Sequence, residues 1–276
     1  MPELPEIETV KLQLQRVLVG QKLLQSEFPQ VTGKTIQAIK RLGKVLLINF
    51  GKNLDLGFHF KMTGQLIYDP TSPRCTSGLR LGAGRIAGGH PSEDFVAKLP
   101  NKHTRLIFEF SKGTLYFNDM RKFGWVKINP EFTVSLGPDA LKITTSKFLK
   151  LLKNIKRPIK MAIMDQGIIS GVGNIYANDA LWEARINPQI PSHKLQEKQL
   201  ELLLEKLKLV LREGIKYGGA TAADAKYIDS HGLGGHYQEH FRVYDREGQK
   251  CKRCKSVIEK FVLGGRGTYY CPVCQI

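Results

Sequence analysis

Residues 251–274 read CKRCKSVIEKFVLGGRGTYYCPVC: a C-x2-C pair, sixteen intervening residues and a second C-x2-C pair. Each pair fits a tight turn, and two such pairs can place four thiolates tetrahedrally around zinc while the residues between them return as a hairpin. Cys251, Cys254, Cys271 and Cys274 are the expected ligands. Four thiolates fill the coordination shell and leave no open position for a catalytic water, so the ion is structural. The hairpin carries GGRG at 264–267, where glycines let a partner approach Arg266 closely, and a phosphate is the partner a guanidinium suits.

Outward from this tail the chain is helical. The segments SKFLKLLKNI (146–155), IKMAIMDQ (159–166), NIYANDALWEA (174–184) and LQEKQLELLLEKLKLVLREGI (195–215) carry the 3.6-residue apolar period, and Gly218 and Gly219 end the last. The first half has a different rhythm. VLLINF (45–50), LDLGFHFKM (54–62), RLIFEF (105–110), TLYFND (114–119) and GWVKI (124–128) read as strands, with SKG (111–113) as a hairpin turn. Ahead of them, Ile7, Val10, Leu14, Val17 and Leu18 predict one amphipathic helix from Pro5 to Val19, stopped by Gly20. The chain is therefore α+β: a β-sandwich domain over 1–130, a linker over 131–145, a helical domain over 146–240 and the zinc hairpin over 241–276. Residues 71–101, rich in Gly and Pro, read as a long surface loop that carries the one remaining cysteine, Cys75.

The 276 residues hold 42 Lys and Arg against 25 Asp and Glu, a net charge of +17, with an isoelectric point near 9.7. Such an excess points to a polyanion, nucleic acid before an anionic membrane surface. No apolar run approaches the roughly 20 residues of a membrane span, and MPELPEIETV has neither the basic start nor the apolar stretch of a signal peptide. Cytosolic residence is the expectation, and cysteines clustered for metal rather than spread for disulfides agree with a reducing compartment.

MPELPE (1–6) raises its own question. Pro5 and the acidic residues suit the first turn of a helix, but removal of Met1 would leave Pro2 as a terminal secondary amine beside Glu3. PELPE, RLGKVLL, HFKMTG, DMRKFG, GVGNIYANDALW, VYDREGQKC and the four-cysteine tail, in this order, resemble the formamidopyrimidine-DNA glycosylase family nearly end to end. The resemblance implies an N-terminal helix with a two-layer β-sandwich, then a helical domain with a helix-two-turn-helix and a zinc hairpin, with double-stranded DNA bound between. It implies excision of 8-oxoguanine and formamidopyrimidines followed by strand cleavage at the abasic site.

On that resemblance the catalytic residues are Pro2, Glu3, Lys44 and Arg266. Pro2 is the nucleophile, and its secondary amine forms a permanently cationic iminium that serves β- and then δ-elimination. An α-amino group of pKa about 7.7–8.0 is roughly a quarter to two-fifths neutral at about pH 7.5, so little activation is needed. Glu3 moves protons, and Glu6 is either a second carboxylate near the lesion or a first-turn helix charge. Lys44, His59, Asn174 and Arg266 match phosphate contacts, although a solvated strand-end lysine and an ordinary packed histidine are the local readings of the first two. Asn174 also fits a helix N-cap. Met62, Arg121 and Phe123 match the residues that fill the vacated space and attend the orphaned base, against a local reading of Met62 and Phe123 as core.

The chain departs from the family pattern at Met120, where a proline is usual, at Lys122, in the length of 71–101, and in YIDSHGLGGHYQEHF (227–241), the segment that would cover a flipped base. These departures bear on lesion preference rather than on the chemistry. An endonuclease VIII-like enzyme for oxidised pyrimidines is disfavoured by Leu4 and the HFKMTG methionine. A non-catalytic zinc-ribbon DNA-binding protein is disfavoured by Pro2 and Glu3, which binding alone does not need. One structural zinc is the only cofactor expected, damaged DNA the partner, and a monomer the simplest fit.

Overall fold

The computed structural model describes residues 1–70, 85–89, 97–131, 135–220 and 235–276. Cys75, most of the loop expected over 71–101, and much of 227–241 lie outside the described residues. Packing divides the chain into two units that are not contiguous in sequence: residues 1–133 with 215–238, and residues 134–214 with 239–276.

The first unit opens with α1 (Leu4–Leu18), which buries Ile7, Val10, Leu14 and Leu18 along one face. Two antiparallel sheets follow. One has the order β1 (Leu23–Gln25), β7 (Thr104–Phe110), β8 (Gly113–Asp119), β5 (Gly64–Pro70) and β6 (Ile86–Gly89); the other runs β2 (Ala38–Leu42), β3 (Val45–Asn49), β4 (Asp55–His59) and β9 (Trp125–Ile128). Side chains from both sheets and from α1 form one core. Ile39, Leu46 and Phe58 come from the second sheet, and Leu66, Phe108, Leu115 and Phe117 from the first. Phe58 meets Phe108 and Phe117 edge-on, at ring separations of 5.6 and 6.2 Å, the arrangement the aromatic quadrupole favours.

The expected strands are present, and the hairpin at 111–112 pairs Phe110 with Gly113. Strand β6 corrects the reading of 71–101 as loop throughout. Its glycines are there for close packing: a Cβ on Gly88 would lie 2.0 Å from Val10 Cγ2, so only glycine lets this strand lie against α1.

The second unit holds α2 (Thr145–Leu152), α3 (Ile159–Met164), α4 (Asn174–Glu183) and most of α5 (Glu197–Lys216), followed by the hairpin β10 (Glu259–Leu263) and β11 (Arg266–Tyr270). Thr144 caps α2 by accepting the Lys147 N–H, as expected of an N-cap threonine. Every residue of α4 from Ile175 to Trp182 is buried, which marks it as the central helix of its unit. Tyr176 packs on Gly214 of α5 so closely that a Cβ there would stand 2.5 Å from the ring. The hairpin turns at Gly264 and Gly265, both at positive φ (57° and 73°), as a two-residue turn between twisted strands requires.

Candidate functional site

At the start of α1, Pro2 and Glu3 are both buried. The helix is entered through a capping box in which Glu6 Oε2 accepts the Glu3 N–H at 2.7 Å. The second Glu6 oxygen accepts the Ala220 N–H at 2.9 Å. Both carboxylate oxygens of this buried residue thus accept backbone N–H groups: Glu6 is the first-turn acid of the α1 capping box, and it also reaches the backbone of Ala220. Gly219 makes the second contact possible: its φ is +93°, and a Cβ would stand 2.8 Å from Glu6 Cγ. Ala220 in turn bridges His236.

Lys44 lies in the turn between β2 and β3, immediately after Gly43 at φ 56°. It is only 7% exposed, so the reading of a solvated strand-end lysine does not hold. His59 ends β4, and its Nδ1 accepts the Lys61 N–H at 3.0 Å. Burial, together with the charges of Lys61 and Lys44, pushes its pKa down to about 4. The ring is therefore neutral at pH 7 and carries its proton on Nε2, as a donor.

Met62, Arg121 and Phe123 are exposed, Met62 and Phe123 at 37% and 54%. Neither apolar side chain belongs to the core, which overturns their local reading as packing residues. The Arg121 guanidinium lies 4.8 Å over the Phe123 ring, a cation–π pair. The register of β5 with β8 sets Gly64 opposite Asp119 and so brings the turn holding Met62 beside the loop holding Arg121 and Phe123.

In the second unit the α4 N-cap is Gly173, with Asn174 the first helical residue. This corrects the expectation of an Asn174 cap. Its side chain is used instead on the hairpin, where Nδ2 donates to the Gly267 carbonyl at 3.0 Å. The same carbonyl accepts from Lys160 Nζ at 3.0 Å, and Lys160 also donates to Thr268 Oγ1 at 2.7 Å. Asn178 Oδ1 accepts the Tyr269 N–H at 3.0 Å. Arg266, exposed at the start of β11, is thus set on a strand pinned by α3 and α4.

The four cysteine sulfurs all lie within 4.8 Å of one another, with Cys254–Cys271 at 3.4 Å and Cys251–Cys274 at 3.9 Å. Zinc bonded at about 2.3 Å to each corner of a tetrahedron needs sulfur separations of about 3.8 Å, so the donor set fits one structural zinc ion. The Trp182 indole N–H points to Cys251 Sγ at 3.4 Å, and the Arg253 guanidinium stacks 3.9 Å over the same indole. Asp179, fully buried, accepts the N–H groups of Arg242, Val243 and Tyr244 and so fixes the chain entering the hairpin.

Sequence reasoning passed over Thr63, Asp119, Lys160 and Trp182. Thr63 and Asp119 stand inside the motifs HFKMTG and DMRKFG, beside residues singled out. Lys160 left no local signal, because a lysine on an amphipathic helix reads as solvated and its partners, the Gly267 carbonyl and the Thr268 hydroxyl, lie on the hairpin.

Family models match almost the whole chain: the formamidopyrimidine-DNA glycosylase N-terminal domain over residues 1–126, the formamidopyrimidine-DNA glycosylase H2TH domain over 136–226, and a zinc finger found in FPG and IleRS over 248–276. The formamidopyrimidine-DNA glycosylase of Pelotomaculum thermopropionicum is 37% identical over 302 residues, covering 100% of this chain and 99% of that protein. That of Ligilactobacillus salivarius is 34% identical, again covering 100% and 99%. Among solved structures, the MutM (Fpg) protein of Thermus thermophilus superposes with a TM-score of 0.82 at 33% identity, over 99% of this chain and 98% of that one. Lactococcus lactis Fpg in complex with abasic-site DNA gives 0.78 at 30% identity, over 99% of each chain.

Proposed function

Because the chain belongs to the formamidopyrimidine-DNA glycosylase family, we infer that Pro2 and Glu3 carry out excision and strand cleavage on damaged double-stranded DNA. The protein is a base-excision repair glycosylase with abasic-site lyase activity, directed at oxidised purines. The observation that carries the residue assignment is the start of α1, where Pro2 and Glu3 are buried and Glu6 ties the Glu3 backbone in place.

The nucleophile requires that Met1 be removed, since the nitrogen of Pro2 is otherwise an amide without a free lone pair. The freed amine attacks C1′ of the damaged nucleotide, and the base leaves with the bonding electrons and a proton. Glu3 protonates the ring oxygen as the sugar opens to the iminium. Loss of a C2′ proton then expels the 3′ phosphate, a second elimination expels the 5′ phosphate, and hydrolysis of the iminium returns the amine. Lys44 and Arg266 hold phosphates by charge and His59 by a neutral N–H, with Asn174 adding an amide donor. Phe123 enters the stack, Met62 fills the vacated space, and Arg121 donates to the orphaned base.

Zinc supplies no step; it holds the hairpin that presents Arg266. Among the described residues no helix is long and apolar enough to cross a membrane, and the cytosol, where DNA is the substrate and thiolates stay reduced, is the proposed location.

Borohydride trapping tests this reading, with duplexes bearing 8-oxoguanine opposite cytosine, an oxidised pyrimidine, or no damage. The expected result is a covalent adduct on damaged strands, strongest with 8-oxoguanine and lost on Pro2→Gly or when Met1 is retained. No adduct from zinc-loaded protein that begins at Pro2 would overturn it, and a stronger adduct on the pyrimidine would move the lesion preference.

A further inference from the structure

The loop from Met120 to Phe123 presents four large side chains to solvent, and Lys122 within it adopts φ +60°. Left-handed backbone is costly for such a residue, and no side chain of the loop is buried in the core to hold it there. A buried carboxylate ties its backbone at both ends. Asp119, 1% exposed, accepts the Gly124 N–H on Oδ2 at 2.6 Å and the Arg121 N–H on Oδ1 at 3.2 Å. The two ends of the loop are thereby closed onto the residue that precedes it. Gly124 has no room for a side chain, since a Cβ would come 2.8 Å from Phe117 Cζ and 3.0 Å from the Asp119 carboxylate.

A side-chain hydroxyl joins this loop to its neighbour. Thr63 Oγ1 donates to Asp119 Oδ1 and accepts the Arg121 N–H at 3.0 Å. Thr63 directly follows Met62, in the turn between β4 and β5. The two segments come from different parts of the chain, and this hydroxyl bonds both the carboxylate and the backbone of Arg121.

We propose that Asp119 and Thr63 are positioning residues which lock Met62, Arg121 and Phe123 into one probe, so that filling the gap and reading the opposite base occur in a fixed geometry. The proposal rests on the functional reading above. Opposite-base selectivity is the property it governs, because a donor that discriminates bases must be held against rotation and displacement of order 1 Å, a shift that can cost about 100-fold in rate. Cleavage of a pre-formed abasic site has no damaged base to extrude and depends on the probe less.

The test compares Thr63→Val, which keeps the shape and removes the hydroxyl, with Thr63→Ser, which keeps the hydroxyl, and with Asp119→Asn. Single-turnover rates are measured on 8-oxoguanine opposite cytosine, 8-oxoguanine opposite adenine, and a pre-formed abasic site. Thr63→Val and Asp119→Asn are expected to lose about 10- to 100-fold in excision, to lose more there than in abasic cleavage, and to discriminate cytosine from adenine less, while Thr63→Ser is restored toward wild type. Equal losses on all three duplexes, or none, would overturn the proposal. Hydrogen exchange of the Arg121 and Gly124 amides gives a readout independent of activity. Exchange no faster in Thr63→Val and Asp119→Asn than in wild type would overturn the latch even if Asp119→Asn folds poorly. A wild-type protein that excises nothing yet protects these amides would count against the functional reading and leave the latch standing.

Discussion

His59 stands close to two lysines and accepts a backbone N–H through Nδ1, so a second ring proton has nowhere favourable to go. Burial is the largest cause of its depressed pKa of about 4, with Lys61 and Lys44 adding to it. The unfolded chain takes up that proton near the ordinary value of 6.5 and the folded chain only near 4. The stability this residue contributes is therefore complete above 6.5 and is lost as the pH falls toward 4. Urea unfolding should show wild type losing stability more steeply than His59→Gln between about pH 6.5 and about pH 4.5, and parallel slopes would refute the assignment. If His59 contacts a phosphate as proposed, it does so as a neutral hydrogen-bond donor that adds no charge. The individual side chains were unevenly legible beforehand. The cysteines announce themselves by residue type and spacing and Pro2 only through the family resemblance, whereas the burial of Lys44 and the bond from Glu6 to Ala220 depend on segments distant in sequence.

At the scale of elements, glycine misleads most. The stretch 71–101 has the composition of a loop, yet Ile86–Gly89 is a strand whose Gly88 abuts Val10 of α1. Composition records that side chains are absent and is silent on whether solvent or a packed helix fills the space. Gly88→Ala should cost about 1–3 kcal/mol by overpacking, and Val10→Ala in the same chain should recover part of it, a coupling that a double-mutant cycle measures. Strands with charged or turn-forming residues, such as β2 with Lys40 and Arg41 and β5 with Asp69 and Pro70, were equally silent, because the sandwich rather than local propensity makes them strands. The zinc hairpin is the opposite case, legible from the spacing of its cysteines. One of its links to α4 is the bond from the Trp182 N–H to Cys251, so chelation of zinc should change Trp182 emission in a Trp125→Phe background. DNA affinity should fall with the same chelator dependence as Arg266 loses its support. An emission change without loss of binding would show that the hairpin does not carry a phosphate contact.

The molecule as a whole carries +17, and such a charge makes affinity for DNA a function of salt before it is a function of sequence. Each phosphate neutralised by a lysine or arginine contributes about −0.9 to the slope of log K against log salt on duplex DNA. Lys44 belongs to the first unit and Arg266 to the second, and both are proposed phosphate contacts. Lys44→Met and Arg266→Met should therefore each make the slope shallower by about 0.9, and the double variant by about 1.8, if both neutralise phosphates of one bound duplex. Fluorescence anisotropy of a labelled abasic-analogue duplex over a salt series reads all four slopes. Additive losses would mean that the two units grip the same DNA independently. A double variant no shallower than the shallower of the two single ones, with the other single one at the wild-type slope, would mean that the cation whose substitution leaves the slope unchanged never reaches a phosphate and is to be removed from the binding set. The neutral His59 supplies the internal control, since His59→Gln should weaken binding at every salt concentration while leaving the slope where it was.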